Sequence, residues 1–156
     1  MKARNPGKPD IIQFKRLLRD KGLKATPQRV AVHEAMLALG HASADGVAAY
    51  LAEQGGTAVS PASVYNILTV LADLKIYSRR SGQGGKMVFD VRSGDHLHLY
   101  DTRNQTWRDL EDEELMSWVE AHFRGRRFRG YKLDGFEIQL LCHPTRKPGA
   151  AKKQGQ

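Results

Sequence analysis

Apolar residues recur at helical spacing from Asp10 to about Asp73, and turn residues divide this stretch into four segments. Each later segment begins after a serine or threonine, and three of the four end at glycines, which is typical of short helices. The predicted helices cover about residues 11–21, 27–39, 43–53 and 61–73. Four short helices in a row therefore open the chain.

Two strand-like segments follow, Lys75–Arg80 and Lys86–Asp90. The glycine-rich residues between them, 82–85, are typical of a flexible hairpin loop. Because short helices followed by a hairpin indicate a winged helix, we predict a winged-helix DNA-binding domain over residues 10–90.

The pattern changes to strand alternation at His96–Tyr100, and a second strand follows at Thr106–Leu110. A helix with an acidic start comes next, and the last strand covers about Phe136–Cys142. The sequence thus predicts an α+β protein whose second domain, residues 96–143, is a small α/β unit joined by a hinge at residues 91–95. A unit of about 50 residues buries little apolar surface alone, so we expect it to dimerise.

The terminal segments, residues 1–9 and 144–156, have few apolar groups and are predicted to be disordered tails, the second of them basic. Seven basic residues lie in these tails, so the net charge of +8 says little about the folded part. Within that part, residues 10–89 are net basic and residues 90–143 are net acidic. We therefore expect the first domain, and not the second, to meet phosphates.

The chain has no apolar run near the roughly 18 residues of a membrane span and no secretory signal, which predicts a cytoplasmic protein without membrane contact. Its single cysteine, Cys142, can form neither an intrachain disulfide nor a four-cysteine zinc site.

The fourth predicted helix has the composition of a DNA-reading helix. If its apolar stripe faces the core, its polar residues face outward and can meet phosphates, base edges and thymine methyl groups. These residues are Ser63, Tyr65, Asn66 and Thr69, and the following hairpin adds Arg79, Arg80 and Lys86. For the helix alone, a polar face that touches only water is the alternative, and the basic hairpin favours DNA.

Two histidines lie on one face of the strand after the hinge. His96 and His98 are two residues apart, so their backbones are about 7 Å apart on the same side. Asp90, Asp109 and His41 could complete a nitrogen and oxygen ligand set that favours Fe²⁺, Mn²⁺ or Zn²⁺ over Cu⁺. A scatter of surface histidines and acids is the alternative, and spacing alone does not decide between them.

Four motifs, in this order and spacing, resemble the ferric uptake regulator superfamily. They are GLKATPQR at residues 22–29, His41 with Ser43-Ala44-Asp45, SVYNIL at residues 63–68, and Gly85-Lys86 with Phe89-Asp90. The resemblance covers about residues 10–143 and is stronger in the first half. It implies a homodimer that binds double-stranded operator DNA, usually as a repressor, when a regulatory ion is bound, and it adds Arg29 to the DNA-contacting residues.

On the matching positions, the resemblance implies one divalent ion per subunit, Fe²⁺, Mn²⁺ or Zn²⁺, with five ligands: His41, Asp90, His96, His98 and Asp109. Aspartates at the two carboxylate positions favour the peroxide-responsive members. In those, hydrogen peroxide acts at bound Fe²⁺, a ligand histidine is oxidised and the DNA is released; His41 is the first candidate for this oxidation.

Three departures from the family pattern matter. Asp101 and Asn104 occupy the first cysteine pair of the usual structural zinc, so no such zinc is expected, and Asn66 replaces a common arginine. The cluster around His96 and His98 also lacks residues that serve a second ion. The same features resemble the haem-linked iron response regulators, so that subgroup, with haem as its ligand, is the competing interpretation.

Two other classes of function are weighed against a regulator. A small metalloenzyme could use the same ligands, but so short a chain leaves little room for a deep substrate pocket. A protein-interaction module could bind through Trp107 or Trp118, although Trp118 lies on the apolar stripe of its helix and is expected in the core.

For the regulator, we expect the ion to restrain the hinge and so set the spacing of two recognition helices in a dimer.

Overall fold

The computed structural model describes residues 7–145, which form two compact units that divide between Asp95 and His96. The predicted tails therefore lie mostly outside the described residues. Pro9, however, belongs to the first unit, because its carbonyl accepts a hydrogen bond from the His33 ring at 2.8 Å. Ordered structure thus begins before the predicted boundary at residue 10.

The first unit opens with four helices that agree closely with the sequence-based bounds. They are α1 (Ile11–Asp20), α2 (Pro27–Leu39), α3 (Ala44–Gln54) and α4 (Pro61–Asp73). The side chain preceding each helix accepts a hydrogen bond from a backbone amide in the first turn, and these caps are Asp10, Thr26, Ser43 and Ser60. Such a cap replaces one of the bonds that a helix terminus lacks, which is why these boundaries can be predicted from sequence.

A three-stranded antiparallel sheet completes the first unit, with strand order β1-β3-β2. The strands are β1 (His41–Ala42), β2 (Ser78–Ser81) and β3 (Met87–Asp90). Strand β1 was not predicted from the sequence, because two residues carry no alternation. The strand predicted from Lys75 begins only at Ser78, since the amides of Ile76 and Tyr77 bond to the Leu71 carbonyl at the end of α4.

The core of the first unit lies between the helices and this sheet. Its fully buried members include Phe14, Leu18, Val32, Met36, Val47, Val64, Leu68, Leu71 and Val91. Val91 was expected in the hinge, but it packs in this core, and Ser78 Oγ donates to the Arg92 carbonyl at 2.8 Å. The first two residues of the expected hinge therefore belong to the first unit.

The second unit contains three strands and one helix: β4 (Leu97–Asp101), β5 (Thr106–Leu110), α5 (Glu113–Phe123) and β6 (Ile138–Cys142). Its strand order is β5-β4-β6, with β4 antiparallel to β5 and parallel to β6. A parallel neighbour needs a crossover connection, and α5 with the loop after it provides one. His96 immediately precedes β4.

Trp118 corrects one expectation, because it is 62% exposed instead of packed in a core, and Val119 is the residue of α5 that is buried. Leu141 on the edge strand β6 is also 70% exposed. Between residues 7 and 145, the helices are too short or too polar to cross a membrane.

Candidate metal ligands and DNA-contacting surface

In the first unit, the pairing of β1 with β3 sets His41 directly opposite Asp90. The His41 Nε2 atom lies 3.1 Å from Asp90 Oδ2, and both side chains are buried. This contact joins a loop between helices to the end of the hairpin. Since β1 has no sequence signal, the contact could not be predicted from local patterns.

Asp90 has two further partners within the first unit. Its Oδ1 atom accepts a hydrogen bond of 2.8 Å from the Arg92 backbone amide. Its Oδ2 atom, the one beside His41, lies 3.4 Å from Arg80 Nη2. A fully buried carboxylate is costly unless it is paired, and these contacts supply positive charge and a donor to Asp90.

In the second unit, the structure brings together His96, His98 and Asp109. Asp109 on β5 is the register partner of His98 on β4. The Nε2 atoms of His96 and His98 lie 3.6 Å and 3.7 Å from the same oxygen, Asp109 Oδ1. The two rings are 4.2 Å apart between centroids, and both histidines are buried.

The separations in this cluster suit metal coordination. Distances of 3.6 and 3.7 Å exceed those of good hydrogen bonds. They lie near the roughly 3 to 3.5 Å that separates neighbouring ligand atoms placed about 2.1 Å from one ion. The donors are imidazole nitrogen and carboxylate oxygen without thiolate, which is the chemistry that Fe²⁺, Mn²⁺ and Zn²⁺ accept. The residues present therefore fit a divalent ion.

Trp107, considered above as an interaction residue, supports this cluster. Its ring contacts His98 edge-on at 6.0 Å and lies 4.6 Å from the Tyr100 ring. These contacts explain why Trp107 is only partly exposed. Its position favours packing against the candidate ligand His98 over contact with a protein partner.

In the first unit, α4 divides its residues as a reading helix would. Val64, Leu68 and Leu71 are fully buried, while Tyr65 is 52% exposed and Asn66 is exposed. Ser63 and Thr69 are half-buried, and Ser63 Oγ accepts a hydrogen bond of 2.9 Å from the capping residue Ser60. The exposed part of this face therefore centres on Tyr65 and Asn66.

The basic residues expected at DNA differ in their placement. Arg79 and Lys86 have side chains that are 43% and 72% exposed, beside Asp73 at 3.0 Å and Asp45 at 3.9 Å. Arg29 donates to the Lys24 carbonyl at 2.8 Å near the start of α2. Arg80 departs from the expectation: its side chain is only 8% exposed and is directed at Asp90. Alternation along β2 turns it away from the face of Arg79.

Hydrogen bonds close the β4–β5 turn, where the resemblance would otherwise place zinc-binding cysteines. Asp101 Oδ1 accepts from the amides of Arg103 and Asn104, at 2.9 Å and 3.1 Å. The bond from the Asn104 amide is the main reason why the pKa of this exposed carboxyl is lowered. The Thr102 amide also donates to the Cys142 carbonyl, which ties the turn to β6.

Several solved structures of metal uptake regulators resemble this protein. A 27% identical structure of the ferric uptake regulator from Pseudomonas aeruginosa with manganese covers 85% of this chain and 98% of its own, with a TM-score of 0.67. The Vibrio cholerae ferric uptake regulator is 24% identical, with coverages of 83% and 99% and a TM-score of 0.61. A zinc uptake regulator complexed with zinc and DNA is 18% identical, with coverages of 84% and 89% and a TM-score of 0.53. No curated protein sequence is significantly similar to the chain.

The sequence profile of the Ferric uptake regulator family matches residues 20–140, which is most of the chain. This match confirms the resemblance inferred from the four motifs, and the similar structures confirm the predicted α+β class. Members of this family are transcription regulators and not enzymes, which also confirms the expected class of function. The chain therefore belongs to the ferric uptake regulator family of metal-responsive transcription regulators.

Proposed function

We propose that this protein is a repressor that binds operator DNA as a homodimer when each subunit holds one divalent ion. The observation that carries the proposal is the cluster in the second unit, where two buried histidine nitrogens lie beside one oxygen of Asp109. Two imidazole rings this close together repel one another if both are protonated and therefore charged. A divalent ion would instead use their nitrogens as ligands.

His41 and Asp90 of the first unit are proposed as the remaining ligands, because they form a second buried histidine and carboxylate pair. When bound, the ion supplies positive charge and fixed coordination directions to these five side chains. Two ligands precede the short segment 93–95 and three follow it. Ligation by both sets would therefore restrict rotation about that segment and set the spacing of the recognition helices.

The proposed DNA-contacting face consists of Tyr65 and Asn66 at its centre, Ser63 and Thr69 beside them, and the exposed wing residues Arg79 and Lys86. Arg29 lies near the start of α2 and is proposed to contact phosphate. Phosphate contacts supply most of the affinity and make it sensitive to salt, while side chains on the helix read base edges. The similar zinc uptake regulator was solved in complex with DNA, which supports DNA as the partner proposed here.

A second copy of the chain is proposed to cover the apolar surface of the second unit. Trp118 and Leu141 are both mostly exposed there, and β6 is the outer strand of its sheet. An exposed sheet edge with apolar side chains is a ready partner for another chain. Because the proposed partner is operator DNA, we propose that this dimer is located in the cytoplasm.

The proposed stimulus is peroxide acting on an iron-loaded protein. Both proposed carboxylate ligands are aspartates, and aspartates at these positions favour the peroxide-responsive members of the family. The test is a mobility shift on a promoter fragment, with the protein free of metal, with Fe²⁺ or Mn²⁺ under anaerobic conditions, and with each ion plus peroxide. We expect binding that needs a metal, is lost with Fe²⁺ plus peroxide, and persists with Mn²⁺ plus peroxide. Loss of binding on adding haem, with no response to peroxide, would favour the haem-linked subgroup.

Matched variants separate the metal site from a general loss of charge. Asp109→Asn should abolish the metal-dependent shift, whereas Asp134→Asn, at an exposed position in the loop after α5, should behave like the parent. DNA binding that is equally strong without metal would agree with the winged-helix domain but contradict the proposed role as a metal-dependent sensor. Equal behaviour of the two variants would contradict the ligand role of Asp109.

A further inference from the structure

Two adjacent arginines on β2 lie in different environments. The Arg79 side chain is 43% exposed and pairs with Asp73 at the surface, whereas the Arg80 side chain is 8% exposed. Successive residues of a strand point to opposite faces, so this difference follows from their neighbouring positions. One arginine faces solvent, and the other is buried beside Asp90.

Arg80 reaches the oxygen that the proposed function requires as a ligand. Its Nη2 atom lies 3.4 Å from Asp90 Oδ2, and His41 Nε2 lies 3.1 Å from the same oxygen. Arginine stays charged at any pH at which the protein folds, so this cation cannot be removed by deprotonation. The carboxylate of Asp90 is thus balanced by a fixed positive charge of the chain itself.

Arg80 acts on this carboxylate more through its charge than by orienting it. The short bond of 2.8 Å from the Arg92 amide to Asp90 Oδ1 already fixes the carboxylate, together with the position of Asp90 on β3. The contact of 3.4 Å with Arg80 is longer than the roughly 2.7–2.9 Å of a strong charge-assisted bond. Removal of Arg80 would therefore leave Asp90 pointing in the same direction.

We propose that Arg80 sets the metal affinity of this regulator by competing with the divalent ion for Asp90. This inference rests on the function proposed above, in which Asp90 is a metal ligand. Without metal, Arg80 supplies counter-charge to a buried carboxylate and so offsets part of the cost of burying it. With metal, two cations share that carboxylate, and their repulsion weakens binding. The metal concentration at which the protein responds is raised accordingly.

The test measures Mn²⁺ binding to metal-free protein by competition with a fluorescent chelator. We expect Arg80→Gln and Arg80→Met to bind Mn²⁺ about tenfold or more tightly than the parent, which corresponds to roughly 1.4 kcal/mol of relieved repulsion. Arg80→Lys keeps the charge and should stay within about threefold of the parent. Arg79→Gln, which removes an equal charge from the neighbouring exposed position, is the matched control and should leave Mn²⁺ affinity unchanged.

Thermal unfolding gives a second readout that does not depend on DNA. Without metal, Arg80→Gln and Arg80→Met should unfold at a lower temperature than the parent, because Asp90 loses a counter-charge. Saturating Mn²⁺ should then raise their unfolding temperature by more than it raises that of the parent. Saturated Arg80→Gln should also bind the promoter with the same salt dependence as the parent, whereas a phosphate contact by Arg80 would lower the salt slope by about one.

The outcomes separate this proposal from the proposed function. Equal or weaker Mn²⁺ affinity in both neutral variants overturns the competition, and a weaker affinity assigns Arg80 an orienting role instead. A gain in Arg80→Lys as large as in Arg80→Gln overturns it as well, because the charge is then not the cause. A parent protein that binds no Mn²⁺, Fe²⁺ or Zn²⁺ overturns the proposed metal site itself.

Discussion

His33 shows how a single buried polar residue is accommodated in the first unit. Its ring is fully buried and stacks on Phe14 with 3.9 Å between the centroids. The Pro9 carbonyl, 2.8 Å from Nε2, can only accept a hydrogen bond, so Nε2 carries the proton. Nδ1 is then the acceptor for the Tyr77 hydroxyl at 2.7 Å. Both ring nitrogens are satisfied only while the histidine is neutral.

Acid is therefore expected to destabilise the first unit through His33. Burial is the main cause that lowers the pKa of His33 below its ordinary value of 6.5. The unfolded chain takes up this proton as the pH falls below about 6.5, while the folded protein does not, so stability decreases below that pH. Urea unfolding at pH 7.5 and 5.5 with a chelator present should show this loss, and His33→Leu should show a smaller loss. An unchanged pH dependence in His33→Leu would contradict this role.

The Tyr77 hydroxyl donates the hydrogen bond that His33 Nδ1 accepts. Tyr77→Phe should lower the free energy of unfolding by about 1–3 kcal/mol, because a buried acceptor is left without its donor. Tyr65→Phe removes a hydroxyl from a side chain that is 52% exposed and should change stability by less than about 0.5 kcal/mol. Urea denaturation measures both, and equal effects of the two changes would refute the importance of the buried bond.

Among the elements, α4 shows how a helix depends on the capping residue that precedes it. Ser60 Oγ accepts a hydrogen bond from the Ser63 amide at 3.2 Å, and Pro61 follows in the first helical position. Proline there costs the helix no hydrogen bond and presets its backbone angle. This capped end also begins the proposed DNA-contacting face, so helix stability and DNA affinity are linked at one position.

Ser60→Ala is expected to destabilise the protein by about 1 kcal/mol, because the first turn of α4 loses its side-chain acceptor. The same variant should weaken promoter binding more than it weakens Mn²⁺ binding. Ser117→Ala is the control, since Ser117 is exposed within α5 and caps no helix end. Thermal unfolding and the mobility shift are the measurements. A stability loss in Ser117→Ala equal to that in Ser60→Ala would contradict the capping role.

At the scale of the whole molecule, the second unit leaves large apolar side chains exposed. Trp118 and Leu141 are 62% and 70% exposed, and the buried part of this unit is small. A small unit gains stability by association, since a partner removes such side chains from water. Trp118 therefore lies on the apolar stripe of α5 without being buried in its own chain, and a partner would remove it from water.

Leu141→Lys should therefore shift the protein from dimer toward monomer and weaken promoter binding at low protein concentration. Ile12→Lys adds the same charge at a residue that is 73% exposed in the first unit, and it should leave the dimer intact. Sedimentation equilibrium measures the dissociation constant of both variants. A Leu141→Lys protein that remains as dimeric as the parent would place the interface elsewhere.

Local chemistry made much of this protein predictable from its sequence. Caps set the starts of α1 to α4, and glycines follow the ends of the first three, because capping acts between residues only a few positions apart. The spacing of His96 and His98 predicted a shared face for the same reason, and the two rings do lie side by side. The order of the four motifs then identified the family.

Tertiary structure decided what depends on residues distant in sequence. The strand pairing of His41 with Asp90 has no local signal, since two residues are too few to alternate. Alternation along β2 puts Arg79 and Arg80 on opposite faces, but the fold decides which of the two is buried, and it is Arg80 that lies beside Asp90. Charge alone predicted DNA contact for both arginines, because a sequence shows charges without the partners that fold against them.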